Sequence, residues 1–368
     1  MKSKPKCSHW LKHFDPLRGS SITDTAGRIR PGLYNCSNQH KPVITMKSAS
    51  ILLLVGCLTA FAETEERISK KFPVQPGGKL VMDVDFGAID VNTNATGEIT
   101  VDVLRKVSRR NKSDEETYLS DRPVVFSQDG NTLTIRSRAK TQMNWSFRGS
   151  QRTEGKYTIT VPAQFNTQVK TSGGGIAISD LTGETKADTS GGGLKFTRLH
   201  GPLDGGTSGG GVRVSECEGT LKVHTSGGGI EVTGGAGKLD GDTSGGSVVV
   251  RDFKGPAQVG TSGGGITIEN VTGKVAGSTS GGSISARFSS PLTDEVSLET
   301  SGGGVTVQLA GDSAFDLDAA TSGGGVSSDL PVTVTGKVAH DHLKGPVNGG
   351  GKSVVLRSSG GSIHVKKL

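Results

Sequence analysis

Seven copies of the tetrad Thr-Ser-Gly-Gly begin at Thr171, Thr189, Thr207, Thr225, Thr243, Thr261 and Thr279, each 18 residues after the last. The tetrad returns at Thr300 and Thr321 after two steps of 21 residues, and a degenerate copy, Ser358-Ser359-Gly360-Gly361, follows. A fixed period of this length without helix signals marks a stacked solenoid, in which each repeat is one supersecondary unit.

Read in columns, one period holds two short strands. The residue after each glycine run is Ile176, Leu194, Val212, Ile230, Val248, Ile266 or Ile284, and two places on stand Ile178, Phe196, Val214, Val232, Val250, Ile268 and Ala286. That alternation is the period-two pattern of a strand with one buried face. A further apolar column follows (Leu181, Leu199, Cys217, Phe253, Val271), then an unbroken glycine column from Gly183 to Gly273. The glycine column reads as a corner at positive φ. A second alternating stretch, as in Leu221-Lys222-Val223-His224-Thr225, leads back to the tetrad with its Thr on the apolar side.

The predicted fold is therefore all-β: a β-solenoid, parallel β-helix-like, with about 18 residues per coil over residues 166–368. It is preceded over 63–165 by an irregular β cap and irregular first coils. In that region 79–84, 88–91, 99–103, 132–135 and 157–161 alternate as strands. Residues 113–119 read as a helical turn capped by Ser113, with Glu116 three residues later. Stacked coils set like residues about 4.7–4.9 Å apart. Each coil's open faces must be covered by its neighbours, so one coil alone cannot offset its ordering entropy. The outward columns, including Asp180, Lys195, Arg198, Arg213, Glu216 and Glu231, keep no constant type. A constant scaffold with a varied surface points to presentation rather than to one repeated ligand site.

Ahead of this region, Met46-Lys47 opens an apolar run over 51–58 that leads to Ala60-Phe61-Ala62 and then Glu63-Thr64-Glu65-Glu66. The arrangement predicts a signal peptide over 46–62, cleaved between Ala62 and Glu63, with Ala60 and Ala62 as the small residues of the site. The run falls short of the roughly 20 apolar residues of a membrane-spanning helix, and no later segment qualifies. Leu54-Val55-Gly56-Cys57 also resembles a lipobox, which makes Cys57 a candidate lipidation residue and a lipid anchor the alternative; cleavage after Ala62 is favoured. Residues 1–45 show no hydrophobic period and read as a disordered extension or as sequence upstream of a start at Met46. The expected destination is outside the cytoplasm: periplasm, cell envelope or secreted.

Charge sharpens the picture. The chain has 42 Lys and Arg against 35 Asp and Glu, a net charge of +7, but from Glu63 onward the two are equal at 33 each. The basic footprint of a nucleic-acid binder disappears with the leader, and aromatic residues at 4% leave little for base stacking, so no nucleic-acid partner is expected. One local exception lies between Arg138 and Lys156, where Lys140, Arg148 and Arg152 surround Trp145 and Phe147. This is a candidate interaction loop for an anionic glycan or lipid headgroup, with a plain solvated loop as the alternative. Cys217 is the one cysteine after Ala62, so that product has no internal disulfide, and its column makes it a small buried hydrophobe.

Several apparent catalytic motifs dissolve on inspection. Gly206-Thr207-Ser208-Gly209-Gly210 and its copy around Ser262 fit the G-x-S-x-G nucleophile elbow, yet that motif needs a strand-to-helix turn with His and acid partners, and this Ser recurs in every coil. Gly351-Lys352-Ser353 resembles the end of a phosphate-binding loop, but the opening glycine would fall at Pro346. His340-Asp341-His342 lacks the companion ligands of a metal site. No catalytic, cofactor-binding or metal-binding residue emerges.

The repeat Thr-Ser-Gly-Gly-Gly-Ile-x-Ile, the element Phe86-Gly87-Ala88-Ile89-Asp90-Val91 and the signal peptide together resemble the bacterial putative adhesin family, an exported domain of unknown function, over roughly residues 72–368. The resemblance implies an exported envelope β-solenoid and brings no catalytic residues. The leading expectation is a non-enzymatic envelope or surface scaffold or adhesin that meets glycan or an envelope protein through its flank, of undetermined oligomeric state. Two alternatives stand beside it: a polysaccharide-cleaving parallel β-helix enzyme using outward Asp204, Asp240, Asp242 and Asp252, and a self-assembling bactofilin-like filament.

Overall fold

The computed structural model describes residues 63–140, 152–335 and 339–368. Two sheets of fourteen strands each, here called sheet A and sheet B, face one another, and each coil of the chain contributes one strand to each. In a typical coil the strand Thr185–Thr189 of sheet B runs through the Ser-Gly-Gly-Gly corner into Leu194–Thr197 of sheet A. It then turns through a second corner into Leu203–Thr207 of sheet B. Successive coils pair in parallel with an 18-residue offset, as in Leu194↔Val212 and Thr189↔Thr207. The fold is thus the all-β solenoid that the periodicity predicts, flattened to two faces and not closed into a barrel.

The inward columns form the core. Ile176, Leu194, Val212, Ile230, Val248 and Ile266 stack in register on sheet A, and none is more than 3% exposed. Opposite them stand Leu203, Leu221, Leu239 and Ala257 of sheet B, equally buried. Cys217 is fully buried in the column of Leu181, Leu199 and Phe253. Burial pushes its thiol pKa up, which suits a packing residue.

The tetrad threonines are buried as well, and their hydroxyls tie coil to coil. Thr207 Oγ1 donates to Gly192 O at 2.6 Å, Thr225 to Gly210 O at 2.7 Å and Thr243 to Gly228 O at 2.7 Å, each carbonyl belonging to the preceding coil. The same oxygens accept from the N–H of their own corner, as from Gly228 at 3.3 Å and Gly246 at 3.3 Å. A glycine in the middle of each corner permits this closeness: a Cβ on Gly228 would collide with the carbonyl of Gly210. Here the neighbouring backbone, not positive φ, demands glycine. At the other corner Gly183, Gly201, Gly219, Gly237, Gly255 and Gly273 do have positive φ. Three places earlier the left-handed conformation falls on Asp180, Arg198, Glu216, Asp252 and Asn270, which the column reading takes simply as outward polar residues.

At both ends the stacking order departs from the chain order. The strands Gly78–Val84 and Ala88–Asn94 lie directly against Phe165–Thr171 and Ile176–Ser179, while the later pair Thr132–Ser137 and Arg152–Pro162 lies outside them. At the far end Lys352–Ser358 and Ile363–Lys367 are inserted between the coil of Thr300 and the coil of Thr321. The sequence predicts these last tetrads as consecutive coils; the structure places the third between the first two. The hydroxyl bridges follow space: Thr171 bonds Gly87 O, Ser358 bonds Gly303 O and Thr321 bonds Gly361 O.

Antiparallel strands close the ends. Thr64–Pro73 pairs with Glu98–Ser108, Val125–Asp129 with Thr132–Ser137, and His342–Val347 with Phe315–Thr321. The outermost strand of sheet A carries Glu65, Glu66, Arg67, Lys70 and Lys71, charges that discourage edge pairing. The helix α1 spans Lys112–Asp121, and its N-cap is Asn111, whose side chain accepts from Asp114 N at 2.8 Å; Ser113, expected as the cap, lies inside the first turn. Arg105, fully buried beneath, is ion-paired with Glu66 and donates to Ser137 Oγ at 3.3 Å.

Candidate functional site

Because the core repeats, any specific chemistry must sit on the outward rows, and the two sheets differ there. On sheet A the outward charges pair from coil to coil. Arg213 Nε lies 2.9 Å from Glu231 Oε2, Arg251 Nη1 is 3.7 Å from Glu231 Oε1, and Arg251 Nε is 3.1 Å from Glu269 Oε2. The corner beside it repeats the device: Arg198 holds Asp180 through two bonds of 2.6 and 3.0 Å, and His200 faces Glu218 at 3.3 Å. The Arg198 hydrogen bond lowers the pKa of Asp180. These partners stand 18 residues apart, so opposite charges at the repeat spacing signal them in the sequence, although the column reading treats that surface as unpatterned.

Sheet B offers a different surface. Its outward row runs Lys170, Asp188, Gly206, His224, Asp242 and Gly260 through successive coils. The two glycines leave gaps that neighbouring side chains lean into. A Cβ on Gly206 would lie 2.5 Å from His224 Nε2 and 3.1 Å from Asp188 Oδ1, and one on Gly260 would collide with Asp242. A shallow groove of about 300 Å³ opens here, lined by Lys170, Asp188, His224 and the corner hydroxyls of Ser190, Ser208 and Ser226. A smaller groove of about 190 Å³ lies further along the same face, beside Gln258, Ser278 and Glu299.

The groove brings Ser208, His224 and Asp188 to one place. No hydrogen bond joins them among the described residues, and no helix follows Ser208, so the nucleophile-elbow reading gains nothing. Of the four outward aspartates considered for polysaccharide cleavage, Asp240 and Asp242 stand two residues apart on one strand. Burial raises the Asp242 carboxyl, and the charge of Asp240 adds to it. Asp204 is separated from Asp240 by the strand of Lys222, and Asp252 sits in the opposite corner, accepting from Asn270 Nδ2 at 3.1 Å.

Near the far end, Asp318 gathers three cations: Arg357 Nη2 at 2.9 Å, Lys344 Nζ at 3.2 Å and His342 Nε2 at 3.4 Å. Burial alone would raise the Asp318 carboxyl, but Lys344 and Arg357 outweigh it and the net shift is downward. His340 and Asp341 use their carbonyls, accepting from Val326 N and Thr321 N. No group of three or more metal-ligating side chains is found among the described residues.

The candidate interaction loop is described only at its two ends. Lys140 is exposed and its N–H bonds Asp121 O at 3.0 Å, while Arg152 is exposed and ion-paired with Glu154. Trp145, Phe147 and Arg148 lie outside the described residues, as do Cys57, Ala60 and Ala62; Glu63 begins the described chain. Beside the loop's ends the Tyr118 ring is held between Arg109 and Arg122, each 4.2 Å from its centroid. No helix of the described residues is long and apolar enough to cross a membrane.

A family model described as Toastrack DUF4097 matches residues 79–366. No curated protein matches the chain. Among solved structures, a putative adhesin from Parabacteroides merdae ATCC 43184 is 13% identical over 82% of this chain and 96% of its own, with a TM-score of 0.33. A putative adhesin from Bacteroides fragilis NCTC 9343 is 14% identical over 82% and 97%, with a TM-score of 0.32. A putative lipid binding protein from Parabacteroides distasonis ATCC 8503 is 12% identical over 82% and 96%, with a TM-score of 0.33.

Proposed function

Starting from the fact that this chain belongs to the Toastrack DUF4097 family, we propose that it is an exported, non-enzymatic interaction scaffold of the cell envelope or surface, an adhesin that meets its partner through the outer face of sheet B. The observation that carries this reading is the contrast between the two surfaces. Sheet A spends much of its outward charge on coil-to-coil pairs, whereas sheet B presents Lys170, Asp188 and His224 around a polar groove flanked by a row of exposed serines. Groups of both charge signs beside hydroxyls suit a polar partner such as a glycan or an envelope protein. Export rests on the signal-peptide pattern over 46–62, and release at Glu63 or a lipid anchor on Cys57 are its two outcomes.

Binding of the chain beginning at Glu63 to a glycan array and to envelope fractions tests the reading. Capture that falls when Asp188 and His224 are both replaced by Ala supports sheet B as the contact face. Absence of any binding removes the adhesive role. Intact mass of the protein from envelope fractions separates a free N-terminus at Glu63 from a lipidated Cys57.

One observation favours polysaccharide cleavage as a second reading: the raised Asp242 carboxyl beside Asp240, a pairing suited to holding a proton. Reducing-end and unsaturated-product assays on acidic polysaccharides, with Asp242→Asn as control, decide it.

A further inference from the structure

We propose that the coil formed by residues 352–367 is exchanged between copies of this chain, each copy's coil filling the slot of another. From Phe165 to Leu309 coils stack in chain order. The coil of 352–367 instead enters a slot whose two walls are built from earlier residues. Lys352–Ser358 lies between Val296–Thr300 and Phe315–Thr321 in sheet B, and Ile363–Lys367 lies between Val305–Leu309 and Val326–Ser328 in sheet A. Ser358 Oγ donates to Gly303 O at 2.8 Å on one wall, and Gly361 O accepts from Thr321 Oγ1 at 2.6 Å on the other. Val354, Leu356, Ile363 and Val365 are buried to within 1%. The chemistry of this slot is that of every coil junction, so nothing in it distinguishes the chain's own coil from that of a second copy.

The hinge supplies the reason to exchange. His342–Val347 runs along one edge of Phe315–Thr321 and Lys352–Ser358 along the other, with Val347 and Lys352 both opposite Phe315. Residues 348–351 must therefore cross the end of that strand, spanning two strand spacings of about 4.8 Å each. They do so with three successive left-handed residues: Asn348 at φ 49°, Gly349 at 93° and Gly350 at 83°. Short hinges under strain are those that straighten into a second copy. The slot contacts are identical in the closed chain and in the exchanged pair. Concentration and hinge strain then set the balance.

Two single variants, Ser297→Cys and Val355→Cys, test this. The two positions are direct partners across one wall of the slot on the outer face, within disulfide reach, and Cys217 is buried away from them. Mixed, partly unfolded, refolded at high concentration and oxidised, they form a mixed disulfide dimer when the Val355→Cys coil occupies the slot of the Ser297→Cys chain. A several-fold excess over a control pair, Ser297→Cys with Thr267→Cys, is expected. No excess overturns the proposal. A second measurement needs no cysteine: inserting Gly-Ser-Gly-Ser between Gly349 and Gly350 relaxes the closed hinge, and sedimentation of the refolded protein should shift from dimer to monomer. A dimer fraction unchanged by the insertion, or no dimer in either protein, also overturns it.

Discussion

Thr243 joins two coils through one oxygen, donating to Gly228 O and accepting from Gly246 N. Valine keeps its shape but leaves both buried partners unpaired, so Thr243→Val should cost about 1–3 kcal/mol in urea unfolding. Thr243→Ser should cost clearly less, since Ser358 already serves at the equivalent place. This role is only half legible in the sequence. Alternation puts each Thr inside, but the carbonyl it reaches belongs to another coil, and the glycine that permits the approach looks in the sequence like an ordinary turn glycine. Asp242 gives a pH test. Its folded carboxyl is raised by burial and by Asp240, so its contribution to stability is present at acid pH and lost as pH rises through the folded pKa. Asp242→Asn should therefore raise the thermal midpoint at neutral pH and leave it unchanged in acid. A midpoint that falls at neutral pH would mean that the ionised carboxylate is stabilising. For Asp318 the sign reverses: with its folded pKa lowered, its contribution is present at neutral pH and lost as pH falls through the folded value.

The strand register is the next scale up. Ile266 points into the core at 1% exposure and Thr267 points out. Ile266→Asp puts an unpaired charge in the ladder and should strongly lower the denaturation midpoint, while Thr267→Asp should be nearly silent. Equal effects would contradict the register. The coil itself is a removable unit: deleting 226–243 joins Thr225 to Ser244 and restores every inward column with one coil fewer. Such a chain should keep its β-sheet circular dichroism and stay soluble. Deleting the half-period 226–234 should not, because it sends sheet A residues to sheet B. Column reading works at this scale because both periodicities, two within a strand and 18 between coils, come from backbone geometry that the side chains must respect. It gives less at α1, where Asn111 and Ser113 are both acceptable caps and tertiary packing decides between them.

For the whole molecule, the sequence reading carries the solenoid but not the order of its last coils. Every junction is built from the same Val, Ile, Thr and Gly columns, so the pattern says that a coil stacks without saying on which neighbour. The candidate loop around Trp145 lies in a region without repeat, where no column constrains it, and the groove near Gly206 depends on side chains from three coils whose spacing in sequence hides their contact. The ends bear on the filament alternative: charged Thr64–Pro73 closes sheet A at one end, and His342–Val347, with Pro346 in the edge strand, closes sheet B at the other. Sedimentation should accordingly show no assembly beyond small discrete species. The inserted coil also gives the rod unequal mechanical ends. A pull on Thr64–Pro73 unzips an outermost strand one bond at a time. The same pull on Ile363–Lys367 loads two flanking ladders together in shear, so under tension the rod should give way first at its N-terminal end and hold longest where its final coil is clasped.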